Sequence, residues 1–218
     1  TVLVDGKKVR ACIFTLSKLD GKSVVTVEGL SDREKEVYAY AFGDTGAVQC
    51  GFCIPGMVIS AKSLLDNNLE PTRADVKKAI MGNICRCTGY AKIEDAILLS
   101  AKMFRENSPI PEMSSSGKVG EHLGRIDARE KVLGTGKYVD DITVEGMIYA
   151  KALRSKYPRA IVKDIRLDKA LAHPDCVRIL TAEDVPFNKT GHLVPDWDVL
   201  IAKGDTTRYI GDAIVLAA

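Results

Sequence analysis

Gln49-Cys-Gly-Phe-Cys-Ile-Pro-Gly-Met57 and, further along, Gly82-Asn-Ile-Cys-Arg-Cys-Thr-Gly-Tyr90 decide how this chain is read. Each stretch holds a close cysteine pair: Cys50 and Cys53 in a C-x-x-C, Cys85 and Cys87 in a C-x-C. The other two of the six cysteines, Cys12 and Cys176, stand alone. Six is an even number, so disulfides are one reading. Against it, no secretory signal is visible, and two close pairs point to a metal or cluster site before a disulfide framework. Zinc favours C-x(2–4)-C knuckles in both halves of its site. A [2Fe-2S] rhomb needs two thiolates on each iron, which a C-x-x-C on one and a C-x-C on the other would supply. Spacing alone leaves cluster, zinc and disulfide open.

The surroundings predict four short helices around these loops. Ser31 can cap a helix through Val37 and Ala41. Pro55 suits the first position of a second, whose apolar face is Met57, Ala61, Leu64 and Leu65, ending near Asn67-Asn68. Thr72-Arg-Ala-Asp75 is a capping-box-like start for a third, through Val76 and Ile80 to Gly82. Ile93, Ala96, Ile97, Ala101 and Phe104 mark one face of the last. The four thiols then lie on two loops that packed helices hold together. Gly51 and Gly89 let backbone N–H groups approach sulfur, which stabilises thiolate charge. Arg86, Lys77, Lys78 and Lys92 could offset a cluster's negative charge, although for the lysines a solvated helix face is the preferred reading.

The two quoted stretches together resemble the helical [2Fe-2S] domain of the xanthine dehydrogenase/aldehyde oxidoreductase family of molybdenum hydroxylases. The likeness covers roughly residues 31 to 106 and includes both pairs in context. It implies that Cys50, Cys53, Cys85 and Cys87 hold the [2Fe-2S] cluster nearer the molybdenum. It also implies that Gln49 and Cys87 lie against the pterin. Taken alone, Gln49 would be a loop amide bonding its own backbone. Thr1 to Leu30 is similar to the second half of the family's ferredoxin-like β-grasp domain, and Cys12 matches the remaining ligand of that domain's own cluster. Asp5-Gly6 reads as a hairpin turn, with a return strand over Val9 to Phe14. A first strand at residue one, no initiator Met, and an apparent strand at Ala213 to Ala218 read as the ends of a fragment, with the other three ligands of that first cluster missing. Outside the resemblance, Cys12 is a small buried hydrophobe in a strand.

Ser108-Pro-Ile-Pro-Glu-Met-Ser-Ser-Ser-Gly117 is a linker. Beyond it, strands are expected over Met147–Leu153, Ala160–Leu167, Cys176–Leu180, Val199–Lys203 and Tyr209–Leu216, with a short helix over Lys169–Ala172 closed by Pro174. This part resembles the family's α/β hammerhead domain, a likeness carried by GRIDAREKVLGTGKYVDD from Gly124 to Asp141. Gly134-Thr-Gly136 lacks the third glycine of a dinucleotide site and reads as a turn. The expected class is α+β and multidomain: a partial β-grasp ferredoxin-like segment over 1–30, a four-helix [2Fe-2S]-binding domain over 31–107, a linker over 108–120, and a truncated α/β hammerhead domain over 121–218. The linker leaves no room for a flavin (FAD) domain.

The function implied is the electron-transfer portion of a molybdenum hydroxylase that oxidises aldehydes or N-heterocycles with water-derived oxygen. Its cofactors would be [2Fe-2S] here and molybdenum-pterin in the full-length enzyme. Its partners would be the rest of the molybdenum-binding portion and an electron acceptor protein or flavin subunit, in a cytoplasmic oligomer. A stand-alone [2Fe-2S] carrier and a structural zinc module are the alternatives. No catalytic residue is assigned. The formal net charge of +2 over 218 residues shows no basic excess for nucleic acid. The uncharged run from Gly46 to Ala61 is too short and too broken by glycine for a membrane span. His122, His173 and His192 have no ligand spacing, Cys176 reads as structural, and Asp140-Asp141 reads as a turn.

Overall fold

The computed structural model describes residues 1–112 and 115–218. Met113 and Ser114 of the expected linker lie outside the described residues. The chain forms two compact units, Thr1–Asp141 and Ile142–Ala218.

The first unit opens with a small antiparallel sheet. β1 (Val2–Val4) lies between β2 (Lys7–Val9) and β3 (Val24–Val25). Asp5 and Gly6 take φ of 49° and 75°, the two positive values that a type I′ hairpin needs. The return strand stops at Val9, which pairs with Val2. It does not run to Phe14, because β1 offers no partner beyond Val2. The chain turns instead into a 3-10 segment at Ala11–Ile13, which leaves Cys12 exposed rather than buried in a strand.

Four helices follow: α1 (Asp32–Asp44), α2 (Ile54–Leu65), α3 (Arg73–Ile80) and α4 (Ala91–Arg105). Ser31 with Glu34, and Thr72 with Asp75, form reciprocal capping boxes, so two otherwise unpaired backbone donors are satisfied at each start. Pro55 sits in the first turn of α2, where a missing N–H is harmless. The apolar faces meet in one core around Tyr38, Phe42, Met57, Val76, Ile93 and Ile97, joined by Leu3 from β1 and by Val27 and Leu30. Tyr38 meets Phe104 edge-on, with ring centroids 5.4 Å apart.

A further helix, α5 (Ala128–Leu133), packs on α1 and α2. Ala128 and Val132 are one turn apart and both enter the same core. Gly43 makes room: a Cβ there would meet Ala128 Cβ at 3.2 Å. Residues 121–141, expected to open the next domain, therefore pack with the helical unit, because their apolar stripe finds its partner surface there.

The second unit is α+β. β8 (Ala213–Ala217) runs between β4 (Lys151–Arg154) and β5 (Ile179–Leu180), all antiparallel. β6 (Lys189–Thr190) pairs with β7 (Trp197–Asp198), and α6 (Asp168–Leu171) is the expected short helix. Strands are shorter than expected. Of Ala160–Leu167 only Ile161 makes a bridge, to Thr206, and Val199–Lys203 forms no strand. Asn188 instead clamps Leu200, accepting from its N–H at 2.9 Å and donating to its carbonyl at 2.8 Å.

Candidate metal centre

The first cysteine loop is set by glycine and by what lies over it. Gly51 has φ +88°, and a Cβ there would fall 2.7 Å from Lys131 Cβ and Cδ. A side chain at this position is excluded on both counts. α2 begins at Ile54, so Cys53 sits at the helix start and packs, half-buried, against the core. Cys50 stays exposed. The second loop has the same gradient in reverse chain order: Cys85 is half-buried against the core and Cys87 is exposed.

This depth decides which thiols meet. Cys53 faces Cys85 on the inside, and Cys50 faces Cys87 on the outside. These contacts run between the two loops, beside the Cys87 N–H to Cys85 Sγ bond within the second motif. Burial pushes the Cys53 thiol up to about 12, with Cys85 and Cys50 adding to it. For Cys87 the Cys50 backbone works to lower the thiol, but the Cys50 thiol, some burial, and the charges of Cys50 and Cys85 leave it raised.

Cys85 is the best-supported sulfur. Burial works to raise it, yet the Thr88 hydroxyl at 3.2 Å and the N–H groups of Thr88 and Cys87, both at 3.4 Å, carry it below the ordinary thiol value. The donors are thus Cys87 and Thr88, not the expected glycine at 89. The Cys85 N–H donates to Tyr90 Oη at 2.9 Å, and the Tyr90 N–H donates to Thr88 Oγ1 at 3.1 Å. Tyr90 caps α4 with φ 72°, a left-handed conformation that folds its ring back over the loop. From far along the chain, Tyr138 Oη donates to the Cys50 carbonyl at 2.9 Å, and its ring meets Phe52 edge-on at 6.3 Å. Burial, then the nearby Cys50 and Cys53 charges, push the Tyr138 phenol up. Thr88, Tyr90 and Tyr138 were not singled out from sequence. Thr88 and Tyr90 lie within the quoted motif, whereas Tyr138 has no local signal.

The other expected residues fall into place separately. Gln49 is exposed, and its side chain makes no hydrogen bond among the described residues, its own backbone included. Cys12 lines, with Cys53, Arg10, Phe52 and Ile84, a cavity of about 440 Å3. Lys77, Lys78, Arg86 and Lys92 are exposed and form no ion pair among the described residues. His122 bonds Asp44, and His173 lies near Asp175.

Among the described residues, no three His, Cys, Asp or Glu side chains gather as ligands of one metal ion. Four thiols in two facing pairs suit a dinuclear cluster, in which each iron takes two thiolates. A single tetrahedral zinc wants all four about one point. The donor set fits [2Fe-2S], with a half-buried pair, an exposed pair, and hydrogen bonds to sulfur on one member.

Comparison with known proteins agrees. The [2Fe-2S] binding domain family matches residues 26–98, and the aldehyde oxidase and xanthine dehydrogenase a/b hammerhead domain family matches residues 133–218. The chain belongs to the molybdenum hydroxylase family of aldehyde oxidoreductases and xanthine dehydrogenases. An aldehyde oxidoreductase of Megalodesulfovibrio gigas is 34% identical over 99% of this chain, which spans 26% of that protein. The nicotinate dehydrogenase small FeS subunit of Eubacterium barkeri is 42% identical over 44% of this chain and 62% of its own length. Among solved structures, the aldehyde oxidoreductase from Desulfovibrio gigas superposes with a TM-score of 0.69 at 31% identity, covering 99% of this chain and 26% of that one. The chain therefore spans less than two thirds of each of these relatives. No helix among the described residues is long and apolar enough to cross a membrane.

Proposed function

We propose that this chain is the iron–sulfur electron-transfer portion of a molybdenum-dependent hydroxylase acting on aldehydes or N-heterocycles, joined directly to the start of its molybdenum-binding portion. The observation that carries this is the facing set of Cys50, Cys53, Cys85 and Cys87 within a chain of which 99% aligns with 26% of an aldehyde oxidoreductase. A bound [2Fe-2S] cluster supplies storage of one electron at a time. The chain's own residues do the rest. The core behind Cys53 and Cys85 shields the inner pair from water on one side. Thr88 and the Cys87 and Thr88 amides hold negative charge on Cys85. Cys87 and Gln49 are both exposed, which suits contact with the pterin of the molybdenum site.

On this reading Cys12 is the remaining ligand of a neighbouring cluster, and the cavity it shares with Cys53 lies between the two redox sites. Residues 1–30, 31–107 and 121–218 derive from the ferredoxin-like, helical and hammerhead domains. The partners are the rest of the molybdenum-binding portion and an electron acceptor protein or flavin subunit, in an oligomeric assembly. A cytoplasmic setting suits thiols kept reduced.

Anaerobic reconstitution with iron and sulfide, followed by iron and sulfide analysis, visible absorption and EPR after reduction, tests the cluster. One [2Fe-2S] per chain is expected. Colourless protein holding tight zinc refutes the redox reading.

A further inference from the structure

The segment after α5 does more than extend the helical unit. It crosses the first cysteine loop and is tied to it at three points. Tyr138 Oη donates to the Cys50 carbonyl at 2.9 Å. The Tyr138 ring stands edge-on to Phe52, the residue between the two cysteines' glycine and Cys53. The Lys131 stem lies across Gly51, so closely that a Cβ there would be 2.7 Å away. The Lys131 ammonium is itself held, 3.6 Å from the centre of the Tyr138 ring and 3.5 Å from the Lys137 carbonyl. A cation over a tyrosine face is attracted by the ring quadrupole, most strongly where water is partly excluded. Both Lys131 and Tyr138 are half-buried. The result is a fixed positive charge and a fixed peptide plane beside the C-x-x-C, with Lys131 reaching it from one turn beyond Asp127.

We infer that Lys131 and Tyr138 are positioning residues for the cluster held by Cys50 and Cys53. Lys131 raises the reduction potential of that cluster, and Tyr138 holds the Cys50 loop closed on it. This rests on the cluster assignment made above. The physics is direct. Reduction adds one negative charge to a centre already ringed by thiolates, and a cation locked nearby favours the more negative state. A hydrogen bond to the carbonyl of a ligand residue limits the loop motion through which iron is lost.

The test uses the whole chain loaded with its cluster, titrated with dithionite and followed by EPR, alongside iron release to a chelator. Lys131→Met keeps the stem over Gly51 and removes the charge; it should shift the midpoint to lower potential. Lys131→Arg should restore it. Tyr138→Phe keeps the ring and loses the hydroxyl; it should broaden the EPR signal and speed iron release about tenfold. A merely structural role would lower stability in all three variants without ordering the potentials by charge. If the unaltered chain takes up a cluster and all three variants match it in potential and release rate, this inference fails and the cluster assignment stands. If the unaltered chain takes up no cluster, the assignment itself fails and takes this inference with it.

Discussion

Thr88→Val separates the charge-supporting role of the second cysteine loop from plain packing. The substitution keeps shape and β-branching but removes one oxygen. That oxygen contacts Cys85 Sγ at 3.2 Å and accepts from the Tyr90 N–H at 3.1 Å. In the cluster-free chain Cys85 can be a neutral thiol, and the main loss is the Tyr90 bond, about 1 kcal/mol. In the loaded chain the sulfur is a charged thiolate, and a hydrogen bond to a charged group contributes about 1.5–3 kcal/mol. Two amide donors to Cys85 remain, from Cys87 and Thr88, so the lower end of that range applies. The loaded variant should therefore lose about 2.5 kcal/mol and the cluster-free variant about 1 kcal/mol. Denaturant midpoints of both forms, with and without cluster, measure the difference. Thr88→Ser, which keeps the hydroxyl, should fall close to the unaltered chain. Equal losses in loaded and cluster-free protein would refute the argument, as would a serine variant as impaired as valine.

Three further outcomes are expected. Cys50→Ser or Cys87→Ser should abolish cluster uptake and destabilise the helical unit, while Cys176→Ser leaves iron content unchanged; iron analysis and visible absorption decide it. Glu34 has burial working to raise its carboxyl, but Lys62 and the Ser31 N–H and hydroxyl hold it below the usual glutamate value. Its stabilising contribution is present above the ordinary carboxylate range and is lost as pH falls through the lowered folded value. Denaturant midpoints measured from about pH 6 to about pH 3 should accordingly fall more steeply for the unaltered chain than for Glu34→Gln. Thr72→Ala removes the cap of α3, where Oγ1 accepts from the Asp75 N–H at 3.2 Å; thermal unfolding should show a loss of about 1 kcal/mol.

The helical unit was legible because its signals are local. Ser31–Glu34 and Thr72–Asp75 are three residues apart, Pro55 marks a first turn, and helical faces repeat within one element. The cysteine motifs were legible for the same reason. What escaped depends on distant partners. The pairing of Cys53 with Cys85 follows from how deep each loop is set, which spacing does not encode. Tyr138 reaches Cys50 across most of the helical unit. That Ala128 fits against Gly43, with Val132 in the same core, likewise depends on a distant surface that no local pattern marks. In the second unit, alternation over Ala160–Leu167 marked an extended segment. Whether such a segment becomes a strand depends on a neighbour, and its ladder with Gly204–Thr207 covers Ala160–Val162 alone among the described residues, an isolated bridge at Ile161.

The packing of α5 has a practical consequence for anyone cutting this molecule. The proline- and serine-rich stretch after α4 looks like the natural place to sever a cluster-binding module. A piece ending there would leave Gly43 facing solvent, strip Ala128 and Val132 from the core, and uncover the Cys50 loop where Lys131 and Tyr138 now lie. The compact unit that carries the cysteine loops runs on to Asp141, so the covalent tether and the packing boundary are different places along the chain.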